Sequence, residues 1–70
     1  MEEFPERLRR MRGRQSSETL SELCGLNKDA VRRYENGERS PTLKSLIKIA
    51  EYFDVSLDYL AGKSDEPRNR

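Results

Sequence analysis

Between Ser17 and Asn36 the chain carries two short helical patterns set end to end, with a three-residue elbow between them. Leu20, Leu23 and Cys24 stand at i, i+3 and i+4, a spacing that puts three apolar side chains on one face of a helix. Gly25 follows at once, and glycine admits the positive backbone dihedral with which helices commonly stop. Asn27 then has the short polar side chain suited to cap a second helix over residues 28–35. At about 100° per residue, Lys28, Asp29, Arg32 and Arg33 share one sector of that helix, while Ala30, Val31 and Tyr34 lie roughly opposite. One face is made for packing and the other is free to bind.

The rest of the chain has to complete a core around this pair within 70 residues, a length that buries only about 60% of the unfolded-chain surface. One compact domain is all it can support. A charged fraction of 39% against a hydrophobic fraction of 33% is polar for a globular chain, but the apolar residues are periodic, unlike those of a disordered sequence. Apolar runs stop at two or three residues, so no membrane span or signal peptide is visible and the cytoplasm is the expected location. Cys24 is the single cysteine and histidine is absent, which excludes an intrachain disulfide or a zinc site of Cys/His type. Cys24 therefore reads as a small core hydrophobe. Without histidine, and without carboxylates paired in a pocket pattern, no enzyme and no cofactor is expected.

Phe4, Leu8 and Met11 recur at i, i+4 and i+7 with Pro5 at a first helical position and Gly13 near the end, which predicts a first helix over residues 4–13. Ser16 or Ser17 caps the second helix, with Glu18 in its first turn where the dipole favours an acid. Asn36-Gly37 and Ser40-Pro41 bracket a loop. Thr42 caps a fourth helix whose stripe of Leu43, Leu46, Ile47, Ala50 and Phe53 is the widest in the chain, and this helix is the expected centre of the core. Asp54 is expected to end it in a left-handed conformation, and Ser56 to cap a last helix carrying Leu57 and Leu60 and stopped by Gly62. The fold class is all-α, with a five-helix domain over residues 1–62 and a disordered tail or linker stub over residues 63–70.

A net charge of +1 is modest for a nucleic-acid-binding domain, so its distribution carries the argument. Arg7, Arg9, Arg10, Arg12 and Arg14 crowd the first helix and its exit, with Arg7 and Arg9 read as solvated; Lys28, Arg32 and Arg33 sit on the third helix and Arg39 follows it. Two helices at an elbow, with a charged outer face on the second, have the layout of a helix-turn-helix, whose second helix enters the DNA major groove. Eight residues make a rod of about 12 Å, matching the groove's width of about 12 Å. Lys28 and Arg33 suit the acceptors of guanine, Asp29 the amine of cytosine or adenine, and Ala30 a thymine methyl. Asp29 in a first turn is equally explained by the helix dipole, and that alternative stays open. Ser16, Ser17, Asn27, Asn36, Arg39, Ser40 and Lys44 are the candidate phosphate contacts, although a turn role alone would also account for Asn36.

From Leu8 to Gly62 the chain resembles the Cro/C1-type (XRE-like) helix-turn-helix family of phage repressors and bacterial transcription regulators. The resemblance rests on Glu18-Thr19-Leu20-Ser21-Glu22, Gly25-Leu26-Asn27, Arg33-Tyr34-Glu35-Asn36-Gly37, Ser40-Pro41-Thr42-Leu43 and the run from Ala50 to Leu60, taken in order and spacing. It implies a compact lambda-repressor-like domain that acts as a sequence-specific double-stranded DNA-binding regulator, a repressor bound as a homodimer to a palindromic operator. The family's base contacts would map to Lys28, Asp29, Ala30 and Arg33, with Arg32 an edge or phosphate contact. The family's ion pair between the first and third helices would map to Arg12 with Glu35, Arg10 being the second choice. The chain departs from the family pattern at Ser17, where glutamine is usual, at Ser21, where a small residue, commonly alanine, faces the third helix, and at Gln15, which replaces an apolar residue. Such a protein is expected to be bacterial or phage-encoded and associated with the nucleoid when bound. Tyr52, Leu57, Tyr59 and Leu60 are the candidates for the dimer surface. Two further expectations accompany this one: an antitoxin or other interaction module of the same fold that also holds a partner protein, and a C-terminal effector domain or protein partner beyond residue 70.

Overall fold

The computed structural model describes residues 3–68. They form five helices, α1 (Phe4–Arg12), α2 (Ser17–Leu23), α3 (Ala30–Glu35), α4 (Leu43–Phe53) and α5 (Leu57–Leu60), with no strand among the described residues. Three helices begin with a hydroxyl that satisfies an otherwise unpaired amide. Ser16 accepts from the Thr19 N–H at 3.0 Å, Thr42 from the Ser45 N–H at 3.1 Å, and Ser56 from the Tyr59 N–H at 3.0 Å. Gly25 stops the α2 segment at φ 73°, and Asp54 ends α4 in the left-handed region at φ 57° and ψ 48°.

The start of α3 corrects the expected helix over residues 28–35: Lys28 and Asp29 form a turn, and the helix begins at Ala30. A helix from Lys28 would bond the Val31 N–H to the Asn27 carbonyl. Here that carbonyl takes the Ala30 N–H at 2.9 Å instead, and the Val31 N–H donates to Ser21 Oγ at 3.0 Å. Ser21 is fully buried and its hydroxyl also donates to the Ser17 carbonyl at 2.8 Å. The residue preceding α3, Asp29, makes no side-chain capping bond, so the helix is capped from across the elbow by α2. The serine that departs from the family's small residue thus bridges the two helices as well as bonding back to its own.

Phe4, Leu8, Leu20, Cys24, Val31, Tyr34, Ile49, Ala50 and Leu60 make the core. Three apolar expectations are corrected. Leu23 is 55% exposed, leaving Leu20, Ser21 and Cys24 as the buried residues of α2 and its end. On α4 the buried residues are Ile49 and Ala50, flanked by Leu46 and Phe53, while Leu43 and Ile47 are 66% and 39% exposed. Nor is α4 central: α3 packs on both α1 and α2, whereas α4 packs chiefly on α5. The stripes 43/46/47/50 and 46/49/50/53 both satisfy helical spacing, and the position of α5 selects between them. Leu60, expected at a dimer surface, is completely buried in this core and offers no surface for association.

At the C-terminal end of α3, Arg12 forks onto Glu35, with Nε 2.7 Å from Oε2 and Nη2 2.9 Å from Oε1. The Glu35 side chain is only 5% exposed. Arg12 also donates to the Gln15 carbonyl at 2.8 Å, tying down the connection between α1 and α2. Hydrogen bonding to Glu35 pushes the Arg12 guanidinium pKa up, so it stays charged at all relevant pH. Arg9 lies 3.6 Å from the same carboxylate, and Arg10 pairs with Glu6 on the surface. Arg7, expected in solvent, is instead largely buried beside α5: it stacks 4.2 Å over the Tyr59 ring and donates to the carbonyls of Tyr59 and Ser64 and to Asp65. Of the expected tail, Ser64 and Asp65 thus meet Arg7, the Lys63 N–H donates to the Asp58 carbonyl at 2.8 Å and Pro67 accepts from the Ser56 N–H at 2.7 Å; residues 69–70 lie outside the described residues.

Arg12→Ala leaves a nearly buried carboxylate with only the exposed Arg9, 3.6 Å away, as its cation and is expected to lower unfolding free energy by roughly 3 kcal/mol, read as an earlier urea midpoint. The joint change Arg12→Met, Glu35→Leu removes both charges and is expected to recover most of that loss. Ser21→Ala orphans the Val31 amide; about 1 to 2 kcal/mol of stability should go, with faster hydrogen exchange at Val31 than at neighbouring core amides.

Candidate nucleic-acid interface

Because Val31 and Tyr34 are buried and Glu35 is held by Arg12, the remaining faces of α3 are turned outward. Lys28, Arg32 and Arg33 are exposed there, with Asp29 and Ala30 half-buried. Six helical residues rise about 9 Å, less than the expected rod, and the turn at Lys28 and Asp29 extends the surface at its start. Lys28, Asp29, Ala30 and Arg33 line an open depression together with Asn27 and Arg39, so four of the five expected base-reading residues adjoin two of the expected phosphate contacts. Leu26, Tyr34, Thr42 and Ser45 complete its walls; Thr42 caps α4 through the Ser45 N–H, and a capping pattern carries no signal of binding.

The charges on this face are unequally engaged. Lys28, Arg33 and Arg39 have no ion-pair partner among the described residues. Arg32 lies off the depression, 3.4 Å from Glu38 and 3.9 Å from Asp29. Glu38 also accepts from the Asn36 side-chain amide at 3.3 Å. Its position is set by the backbone at the end of α3: the Gly37 N–H donates to the Tyr34 carbonyl and the Glu38 N–H to the Arg33 carbonyl, the paired bonds of a Schellman stop.

Among the other expected phosphate contacts, Ser16, Asn36, Ser40 and Lys44 are exposed and Ser17 is half-buried. Ser16 is engaged as a cap and also donates to the Thr19 hydroxyl, and Ser40 lines a second, smaller depression with Arg39 and Phe4. Lys48, absent from the sequence-based expectations, donates to the Gly25 carbonyl at 3.1 Å and holds the elbow against α4; no periodicity announces such a contact. Of the dimer candidates, Tyr52 and Leu57 are 42% and 38% exposed, and Tyr59 is half-buried beneath Arg7. Cys24 is buried, which pushes its thiol pKa up and keeps it protonated. Among the described residues no cluster of acids and cysteine is placed to hold a metal ion, and no helix is long and apolar enough to cross a membrane.

A family model described as Helix-turn-helix matches residues 6–60. The uncharacterized HTH-type transcriptional regulator YobD of Bacillus subtilis is 36% identical over 66 residues, covering 91% of this chain and 59% of its own length. The plasmid copy control protein CopR of Streptococcus agalactiae is 32% identical, covering 91% of this chain and 72% of its own. The cryptic phage CTXphi transcriptional repressor RstR of Vibrio cholerae is 34% identical over 44 residues, 63% of this chain and 39% of its own length. The chain thus spans less than two thirds of the length of several relatives it matches. Among solved structures, the P22 c2 repressor in complex with a synthetic operator superposes with a TM-score of 0.78 at 24% identity, over 87% of this chain and 96% of that one, a likeness of fold. The family and these relatives are named for DNA motifs and regulation, and none for catalysis. The match across residues 6–60 and the lambda-repressor-like arrangement of five helices place this chain in the helix-turn-helix family of Cro/C1 (XRE) type, the DNA-binding transcription regulators and phage repressors.

Proposed function

We propose that this domain reads a specific duplex with α3 and the preceding turn in the major groove, and represses transcription by occupying its operator. The observation that carries the reading is the depression in which Lys28, Asp29, Ala30 and Arg33 adjoin Asn27 and Arg39, with all three of its cations free of ion pairs among the described residues. Free donors that line one depression with a half-exposed carboxylate make a surface that can accept a guanine edge and a cytosine or adenine amine. Arg33 and Lys28 serve as donors to guanine, Asp29 as the acceptor, and Ala30 as an apolar contact. Arg32 lies at the edge of the site. Asn27, Arg39, Ser16, Ser17, Asn36, Ser40 and Lys44 grip the backbone on either side and fix register without reading sequence. The operator complex of the structurally similar phage repressor and the repressor named among the relatives support this direction of action.

One short helix reads only a few base pairs, so two copies on a palindrome, their recognition helices about 34 Å apart, give useful affinity. Tyr52 and Leu57, with Tyr59 beside them, are the surface through which the copies meet. Relatives longer than this chain are consistent with a further C-terminal segment or partner in proteins of this kind. The site of action is the cytoplasm, at the nucleoid.

Selection of duplexes from a random pool, followed by gel shifts in moderate salt, tests the reading; absence of any preferred duplex would refute it. On the selected duplex Arg33→Ala is expected to cost roughly 1 to 3 kcal/mol and relax discrimination at one base pair. Lys44→Ala should weaken all duplexes alike and flatten the log–log salt slope by about one. Sedimentation on the selected duplex should give two chains per site, reduced to one by Leu57→Glu; a single wild-type chain per duplex would remove the dimer from the scheme.

A further inference from the structure

We infer that Glu38 is an internal competitor for DNA phosphate, which holds Arg32 and Asn36 in the free protein and sets the affinity of the site. The inference rests on α3 being the DNA-facing helix. Glu38 Oε2 is shared by Arg32 Nη1 at 3.4 Å and Asn36 Nδ2 at 3.3 Å, so one carboxylate oxygen engages two donors on the outer edge of α3. The arrangement does not depend on side chains alone. The Schellman bond from the Glu38 amide to the Arg33 carbonyl, 2.9 Å, anchors the residue just past the end of α3, with Gly37 at φ 74° making the turn.

A carboxylate there is unfavourable for the helix, whose C-terminal end carries partial negative charge, and it is offset by Arg32. The same location is unfavourable for a DNA-binding loop, because Arg39 and Ser40 follow immediately and are placed to meet a phosphate. Glu38 therefore makes the geometry a phosphate would make: an anionic oxygen shared between a guanidinium and an amide. Arg32 is half-exposed and is also 3.9 Å from Asp29, so both of its neighbouring charges are acids, whereas Lys28, Arg33 and Arg39 are left unpaired. Docking must exchange the Glu38 contact for a DNA phosphate, and the repulsion of Glu38 from the backbone opposes that exchange. Tight binding to arbitrary DNA, which depends on phosphate contacts, is the term most reduced.

The test uses the selected duplex, a scrambled duplex of equal length, and four proteins: wild type, Glu38→Gln, Arg32→Ala and the double variant. Glu38→Gln keeps the shape and removes the charge at an exposed position, so its urea midpoint should match wild type. It is expected to bind both duplexes on the order of threefold to tenfold more tightly at low salt, with a salt slope steeper by about 0.9, because no carboxylate is freed on docking to take up a cation in place of the one the phosphate releases. Most of that gain should vanish in the Arg32→Ala background, because Glu38 acts through Arg32. Unchanged affinity in Glu38→Gln, or a gain that persists in full without Arg32, overturns the inference. So does weaker binding confined to the selected duplex, which would make Glu38 a reader of a base amine. If wild type bound the selected duplex and Arg33→Ala weakened it while Glu38→Gln did nothing, the inference alone would fall; a wild type with no preferred duplex would remove the DNA-facing reading with it.

Discussion

The forked contact of Arg12 on Glu35 holds the last turn of α3 against the end of α1, and the placement of every outward-facing group on α3 depends on it. A six-residue helix has no stability of its own in water, since nucleation outweighs the few hydrogen bonds it closes. This one is held at both ends by other elements. Ser21 on α2 caps its first turn through Val31, Arg12 on α1 clamps its last through Glu35, and between them Val31 and Tyr34 are packed into the core, Tyr34 against Phe4 at 5.8 Å between ring centroids. The buried carboxylate makes the arrangement demanding: the α3 glutamate is tolerated only while the guanidinium is in place.

External capping has a functional corollary. Since Ser21 and Arg12 supply what α3 needs, Arg33 on the helix and the polar residues that flank it are released from structural duty. Lys28, Arg33 and Arg39 are left without ion-pair partners among the described residues, and Asp29 makes no capping bond. The low net charge has its explanation in the same bookkeeping. Arg7, Arg10 and Arg12 are matched to Asp65, Glu6 and Glu35 on the α1 side of the molecule, so charge pairing is concentrated away from the depression. A chain of net charge +1 can in this way present a locally cationic face.

Local signals were legible wherever the chemistry is local. Ser16, Thr42 and Ser56 cap helices because a hydroxyl reaches an amide three residues on, and Asp54 takes the left-handed stop because its short polar side chain tolerates that conformation better than most. The Arg12 and Glu35 pair was legible only through resemblance, as nothing in their spacing of 23 residues announces contact. The rotation of α4 was not legible, since two overlapping stripes satisfy the same period, and Ile49 rather than Ile47 joins the core that the other helices build. Nor was the engagement of Arg7, whose neighbours Tyr59, Ser64 and Asp65 are more than fifty residues away. Of the site, helical periodicity put Lys28, Asp29 and Arg33 together, while Ala30 joins them and Arg32 leaves them because Lys28 and Asp29 form a turn ahead of α3, and Thr42 and Ser45 enter only through the placement of the start of α4.

By itself, then, the amino-acid order determined the number of helices, the hydroxyl caps of α2, α4 and α5, the helix stops, the two-faced character of α3 and the exclusion of an intrachain disulfide or a Cys/His zinc site, because each depends on interactions within a few residues or on which residue types the chain has. Tertiary structure decided where α3 begins, which side of α4 is buried, which arginines are occupied and which are free. Those outcomes are competitions between distant groups for the same hydrogen bond or the same space. The Val31 amide chose Ser21 over Asn27, Glu35 took Arg12 in preference to Arg10, and Arg32 fell to Glu38. Periodicity names the contestants in such a competition, and only the three-dimensional distances name the winner.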